Sequence, residues 1–255
     1  MLIDDGDGSE AARRRAADLH VSIDRTSGED SILIFQSNPE ATVTFYIGED
    51  AKVFVVHKEF ACHYSPVLRA AFNSNFMEGK TQTYTLKGTT EELFRLFVDW
   101  LYRGKFHGMM HEGDDPVNTS DKIERKKLEQ RLSTLAELWV LCEKLLVRSL
   151  QNLVIDQAVL LTRKHLFGPR IAVVNYISEN APQGSALWRF VVDLRAWYLR
   201  CGSDEEIRSK VMTEFDRGFQ RDMFRDIVTA LAIKPHSTKQ YPLKASDYHV
   251  KEEHV

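Results

Sequence analysis

A switch in hydrophobic period organises the first half of the chain. Val43-Thr44-Phe45-Tyr46-Ile47 is rich in β-branched and aromatic residues, Gly48-Glu49-Asp50 supplies turn chemistry, and Val53-Phe54-Val55-Val56 resumes the pattern. Two such runs so close together predict a β-hairpin. The period then lengthens to that of a helix through Phe60-Ala61-Cys62 and Ser65-Pro66-Val67-Leu68. Ser65 is placed to cap the second of these turns, and Pro66 sits where a missing N–H costs nothing. Leu68, Ala71 and Phe72 define its buried face. Thr83-Tyr84-Thr85-Leu86 has strand character, and Thr89-x-x-Glu92 reads as a capping box opening a helix whose apolar residues are Leu93, Leu96, Phe97, Trp100 and Leu101.

Beyond this the chain becomes helical. From about 106 to 131 the composition turns charged and loop-like, with Gly108, Gly113, Pro116 and the run Lys122-Ile123-Glu124-Arg125-Lys126-Lys127. This stretch predicts an exposed insertion that ends in a helix leading back into the fold. Apolar periodicity returns at Leu135, Leu138, Trp139, Cys142, Leu145 and Leu146, then at Leu150, Leu153, Val154 and Ala158, which predicts two core helices joined near Val147. Helical stripes follow over Ile171 to Ile177, over Leu187, Phe190, Val191, Leu194, Trp197 and Tyr198, and over Phe219, Met223, Phe224, Ile227, Val228 and Leu231; Ser203-x-x-Glu206 is a second capping box. The expected organisation is a flexible leader over 1–38, a sheet-and-helix domain over 39–155, a helical region over 156–234, and a polar tail over 235–255 with no periodic apolar face.

Composition narrows the classes of function. A 255-residue chain with 43% hydrophobic residues supplies material for a core without a metal or a disulfide. Its net charge of -3 gives no long-range field to hold a polyanion, so nucleic acid is a disfavoured partner. Cys62, Cys142 and Cys201 are odd in number and lie in apolar stretches, which suits buried thiols in a reducing compartment. The N-terminus has no basic start followed by an apolar run, and no window is long and apolar enough for a membrane span. These features lead us to expect a cytoplasmic or nuclear protein.

Candidate chemistry is sparse. His57 and His63 with Cys62 could suggest a metal or nucleophile site, but their spacing puts the imidazoles on different sides of a helix. His107 and His111 have ligand spacing, yet Gly108 and Gly113 disfavour the helix that would align them. Gly6-x-Gly8-x-x-Ala11 lacks the preceding strand a dinucleotide site needs. Arg13-Arg14-Arg15 and Arg125-Lys126-Lys127 sit beside acidic residues and read as solvated surface, and Asn118-Thr119-Ser120 matters as a glycosylation acceptor only on a secreted chain. Nucleophile-elbow, P-loop and kinase motifs are all missing from the sequence. No catalytic, cofactor or metal residue is therefore assigned, and no small-molecule substrate is expected.

The ordered motifs resemble another kind of protein. Val53-Phe54-Val55-Val56-His57-Lys58, the Ser65-Pro66-Val67-Leu68 helix with Phe72, Phe76-Met77-Glu78, and Phe97-Val98-Asp99-Trp100-Leu101-Tyr102 together resemble the BTB/POZ family over about residues 40–155. Leu138-Trp139 through Leu150-Gln151-Asn152, and Phe190-Val191-Val192-Asp193-Leu194, are similar to the helical C-terminal regions of its fungal members. The resemblance implies an α+β BTB/POZ fold, a small β-sheet flanked by a helical cluster, followed by an all-α region. It marks His57, Lys58, Ser65, Pro66, Phe72, Trp100 and Tyr102 as motif residues. It also implies protein partners, through a homodimer face and through a cullin-binding face containing Phe76, Met77 and Glu78. The function so implied is that of a non-enzymatic interaction adaptor serving a cullin-based ubiquitin ligase, or alternatively a self-associating structural or transcription-related protein. Thr42 stands where many members have Asp, which leaves Lys58 alone of the charged pair used for corepressor recognition.

Overall fold

A computed structural model describes residues 40–109, 121–200, 209, 221–233 and 241–251. The predicted hairpin forms: β1 (Thr42–Ile47) pairs antiparallel with β2 (Lys52–His57) in the register Phe45 opposite Phe54. The reversal turns on two positive-φ residues, Gly48 and Ala51. Strand β3 (Thr83–Leu86) lies parallel on the other side of β1, giving a three-stranded mixed sheet in the order β2-β1-β3. Alternation sends Val43, Phe45 and Ile47 into the core. Phe45 meets Phe72 edge-on at 5.8 Å and Phe94 at 5.0 Å, so aromatic packing joins the sheet to its helices.

Three short helices connect β2 to β3: α1 (Lys58–Tyr64), α2 (Pro66–Phe72) and α3 (Met77–Thr81). Helix α4 (Glu91–Arg103) follows and buries Leu93, Phe94, Phe97, Trp100 and Leu101. Its cap is Thr90 rather than Thr89, because the Thr90 hydroxyl accepts from Leu93 N at 3.2 Å while Thr89 is buried. Two adjacent threonines offer the same chemistry, and spacing alone does not separate them.

Helix α5 (Lys122–Leu145) starts earlier than the charged composition suggests. Asp121 caps it by accepting from Ile123 N; Ile123 within the basic run is exposed, and the buried stripe starts just after the run at Leu128, Leu132 and Leu135. It packs against α6 (Arg148–His165), which runs unbroken through the expected boundary at 155/156. Among the described residues, helices α7 (Ile171–Asn180), α8 (Ala186–Arg200) and α9 (Arg221–Ile233) follow. Buried Glu129 of α5 binds Arg125 and, at 2.5 Å, Arg170 just before α7. On α9 Met223 and Ile227 are buried but Val228 is exposed, so the predicted stripe is one residue column narrower. The Ser203 capping box, Phe219, Cys201, His111, the 118–120 acceptor and the leader motifs lie outside the described residues.

The C-terminal segment has no periodic apolar face but carries buried anchors. Residues 241–251 are irregular apart from a 3-10 turn (Ala245–Tyr248), yet Leu243 and Tyr248 are buried against the helices. Isolated anchors on an extended backbone leave no periodicity to read.

Candidate protein-interaction surface

Among the described residues, 73–82 form the most exposed apolar feature of the sheet-bearing part. Helix α2 stops at Asn73, and Ser74 Oγ donates to Ala71 O at 2.8 Å and accepts from Phe76 N at 3.2 Å, which folds the chain back on itself. Gly79 then passes so close to Ser74 that a Cβ on it would lie 1.8 Å from Ser74 O. Only glycine fits there. Gln82, in the left-handed region at φ 53°, donates from its side chain to Phe72 O and Gly79 O and closes the loop. Phe76 and Met77 are held outward on this frame, 78% and 72% exposed. Leaving two such side chains in water forgoes about 2 kcal/mol of burial apiece, so their exposure calls for a use. Glu78 beside them is half-buried, and with burial its carboxylate pushes the Tyr84 hydroxyl upward.

The remaining motif residues build the platform under this loop. Ser65 is fully buried; its Oγ accepts from Leu68 N at 3.1 Å and donates to Leu145 O at 2.6 Å, capping α2 while bonding the end of α5. Pro66 occupies the first turn of α2. Lys58 Nζ donates to Phe72 O at 3.0 Å, so this amine is committed to the C-terminus of α2. The Tyr102 hydroxyl accepts from His57 N at 3.0 Å and lies 2.7 Å from His57 Nδ1, fixing the end of β2 to α4. Phe72 and Trp100 are core. Sequence reasoning set Phe76, Met77 and Glu78 apart from the motif residues through the family resemblance. It missed Gly79 and Gln82, which set the loop's shape; the close approach that requires Gly79 and the left-handed backbone of Gln82 are invisible in a bare sequence.

Catalytic geometry is not what this surface offers. Among the described residues no group of three His, Cys, Asp or Glu side chains gathers as a metal site, and no helix is long and apolar enough to cross a membrane. A cavity of about 170 Å³ is lined by Leu96, Phe106, His107, Arg131, Thr134 and Leu161 among others, smaller than the roughly 300 Å³ at which small-molecule sites begin. Burial and then the Arg69 charge lower His63, while Cys142 is buried and its thiol pushed well up, so that thiol is not an activated nucleophile.

Comparison with known proteins agrees with this frame. The BTB/POZ domain family model matches residues 34–154. No curated protein matches the chain. The matched span contains the sheet, α1 to α5 and the start of α6, including every motif residue described above. The family is one of protein-interaction domains and not of enzymes, so the matched region implies protein partners. The chain carries a BTB/POZ domain over residues 34–154, fused without a break in α6 to further helices.

Proposed function

We propose that the protein is an adaptor whose BTB/POZ domain docks on a cullin-type scaffold of a ubiquitin ligase through Phe76, Met77 and Glu78. The observation that carries this reading is the outward Phe76–Met77 pair on a loop fixed by Gly79 and Gln82. A preorganised apolar anchor enters a partner pocket without the entropic cost of ordering the loop, and Glu78 at its edge supplies a charge to orient the contact. Co-purification with a cullin N-terminal region tests it. Phe76→Ala is expected to weaken the complex by about 2 kcal/mol, and absence of association by the unmutated protein sinks the ligase role.

Self-association is the second reading. Val53 and Val55 of β2 are 55% and 60% exposed, and β2 is an outer strand of the described sheet. An apolar outer strand favours pairing with another copy. Light scattering on the purified protein decides this; a strict monomer at high concentration argues against it.

A further inference from the structure

Residues 241–251 lie along two helices in the manner of a bound peptide. On α8, Phe190 and Trp197 are two helical turns apart, a rise of about 10 Å. Tyr248 and Tyr241, also seven residues apart, pack edge-on against them at 5.5 and 5.1 Å. An extended segment of that length would overshoot; the 3-10 turn between the tyrosines shortens it to match. Each aromatic is also read by its hydroxyl: Tyr248 donates to Asp193 Oδ2 at 2.8 Å, and Tyr241 lies 2.6 Å from Thr162 Oγ1. On α6, Arg148, Asn152 and Asp156 recur every fourth residue on one face. Asn152 accepts from Val250 N at 2.6 Å and donates to Val250 O at 3.0 Å; Arg148 donates to Lys251 O at 2.8 Å. Asp156 Oδ1 lies 2.8 Å from His249 Nε2 at an exposed position.

Two features distinguish this from ordinary core packing. The Asn152 and Arg148 contacts are made to main-chain atoms, which any extended peptide presents. The segment itself buries few side chains fully, Leu243 and Tyr248, and elements with few buried apolar contacts open locally at low cost.

We propose that the groove between α6 and α8 is a docking site for an extended peptide of a partner protein bearing two tyrosines seven residues apart, and that residues 241–251 occupy it as an intramolecular ligand in the isolated chain. This site is separate from the Phe76 loop and stands or falls without it. A covalently attached ligand acts at an effective concentration on the order of millimolar, so a partner binds only by displacing it. The groove is thereby closed to weak competitors.

The test uses the full chain and a fluorescent peptide of residues 240–252 as the probe. Tyr248→Ala with Val250→Pro vacates the groove from the tail side, removing one ring and the N–H that Asn152 accepts, while leaving α6 and α8 unaltered. The probe is expected to bind this variant at least tenfold more tightly than the unmutated chain, to lose that gain when Asn152→Ala is added, and not to bind when both its tyrosines are alanine. Equal binding to both chains, or a gain insensitive to Asn152→Ala, overturns the proposal. Concentration-dependent dimerisation of the unmutated chain that Asn152→Ala abolishes overturns it too, by assigning the groove to a second copy. Where the double variant loses helical signal, hydrogen exchange on the unmutated protein decides: the Val250 amide exchanging at least tenfold faster than the core amides of α8 supports the proposal, and exchange together with them overturns it.

Discussion

Two short segments outside the main elements treat their apolar side chains in opposite ways. Residues 73–82 fix their backbone tightly, through Gly79 against Ser74 and through Gln82, and turn Phe76 and Met77 out to water. Residues 241–251 have little structure of their own and turn Leu243 and Tyr248 inward onto α6 and α8. The first is rigid by its own bonds and offers a surface; the second is ordered by the surface it meets. Backbone constraint, rather than hydrophobicity, separates a presented anchor from a docked one.

The largest effect is expected where backbone meets backbone. Gly79→Ala puts a methyl 1.8 Å from Ser74 O, and relief requires the loop to move, at a cost of about 3 kcal/mol. Thermal unfolding reads this, and loss of cullin association together with the lower Tm is the expected pattern. Ser65→Ala comes next: it removes a helix cap and leaves Leu145 O without its hydroxyl donor, costing about 2 kcal/mol in denaturant unfolding.

Tyr241→Phe removes only the hydroxyl contact with Thr162, whose own hydroxyl still donates to Ala158 O. About 1 kcal/mol is expected, seen as faster exchange of the Val250 amide with Tm nearly unchanged. Alkaline pH probes the same contacts. Burial raises both Tyr241 and Tyr248 above the ordinary 10.0, and Asp193 adds to the rise at Tyr248. The docked segment therefore favours the protonated phenols, so its stability is full below pH 10 and declines as pH climbs beyond. Tyrosinate absorbance is expected to show these two ionising after the exposed tyrosines; early ionisation of both contradicts the docked geometry. Smallest of all is Phe76→Ala on stability, within about 0.5 kcal/mol, because the ring touches water. A large Tm loss there shows that the ring is not presented at all.

What the sequence discloses follows from how far each signal reaches along the chain. The hairpin, the Ser65–Pro66 start of α2 and the stripe of α4 rest on residues within a few positions of one another, and all three form. The choice between Thr89 and Thr90 depends on one hydrogen bond, and the early start of α5 on leucines whose burial outweighs the charges between them. The outward turn of Phe76 depends on Gln82 and Gly79 reaching back to Phe72 and Ser74, a tertiary matter that no period records. The tail was least legible, since its partners Asn152 and Asp193 lie 98 and 55 residues away from their contacts.

The bond from Ser65 to Leu145 spans 80 residues, and it carries a consequence for synthesis. While the nascent chain ends short of residue 145, the Ser65 hydroxyl has no α5 carbonyl to receive its proton, and α2 lacks the helix end it packs beneath. Full closure of the sheet-bearing module during synthesis is thus expected only after that helix has emerged, which hydrogen exchange on ribosome-bound chains of increasing length would read.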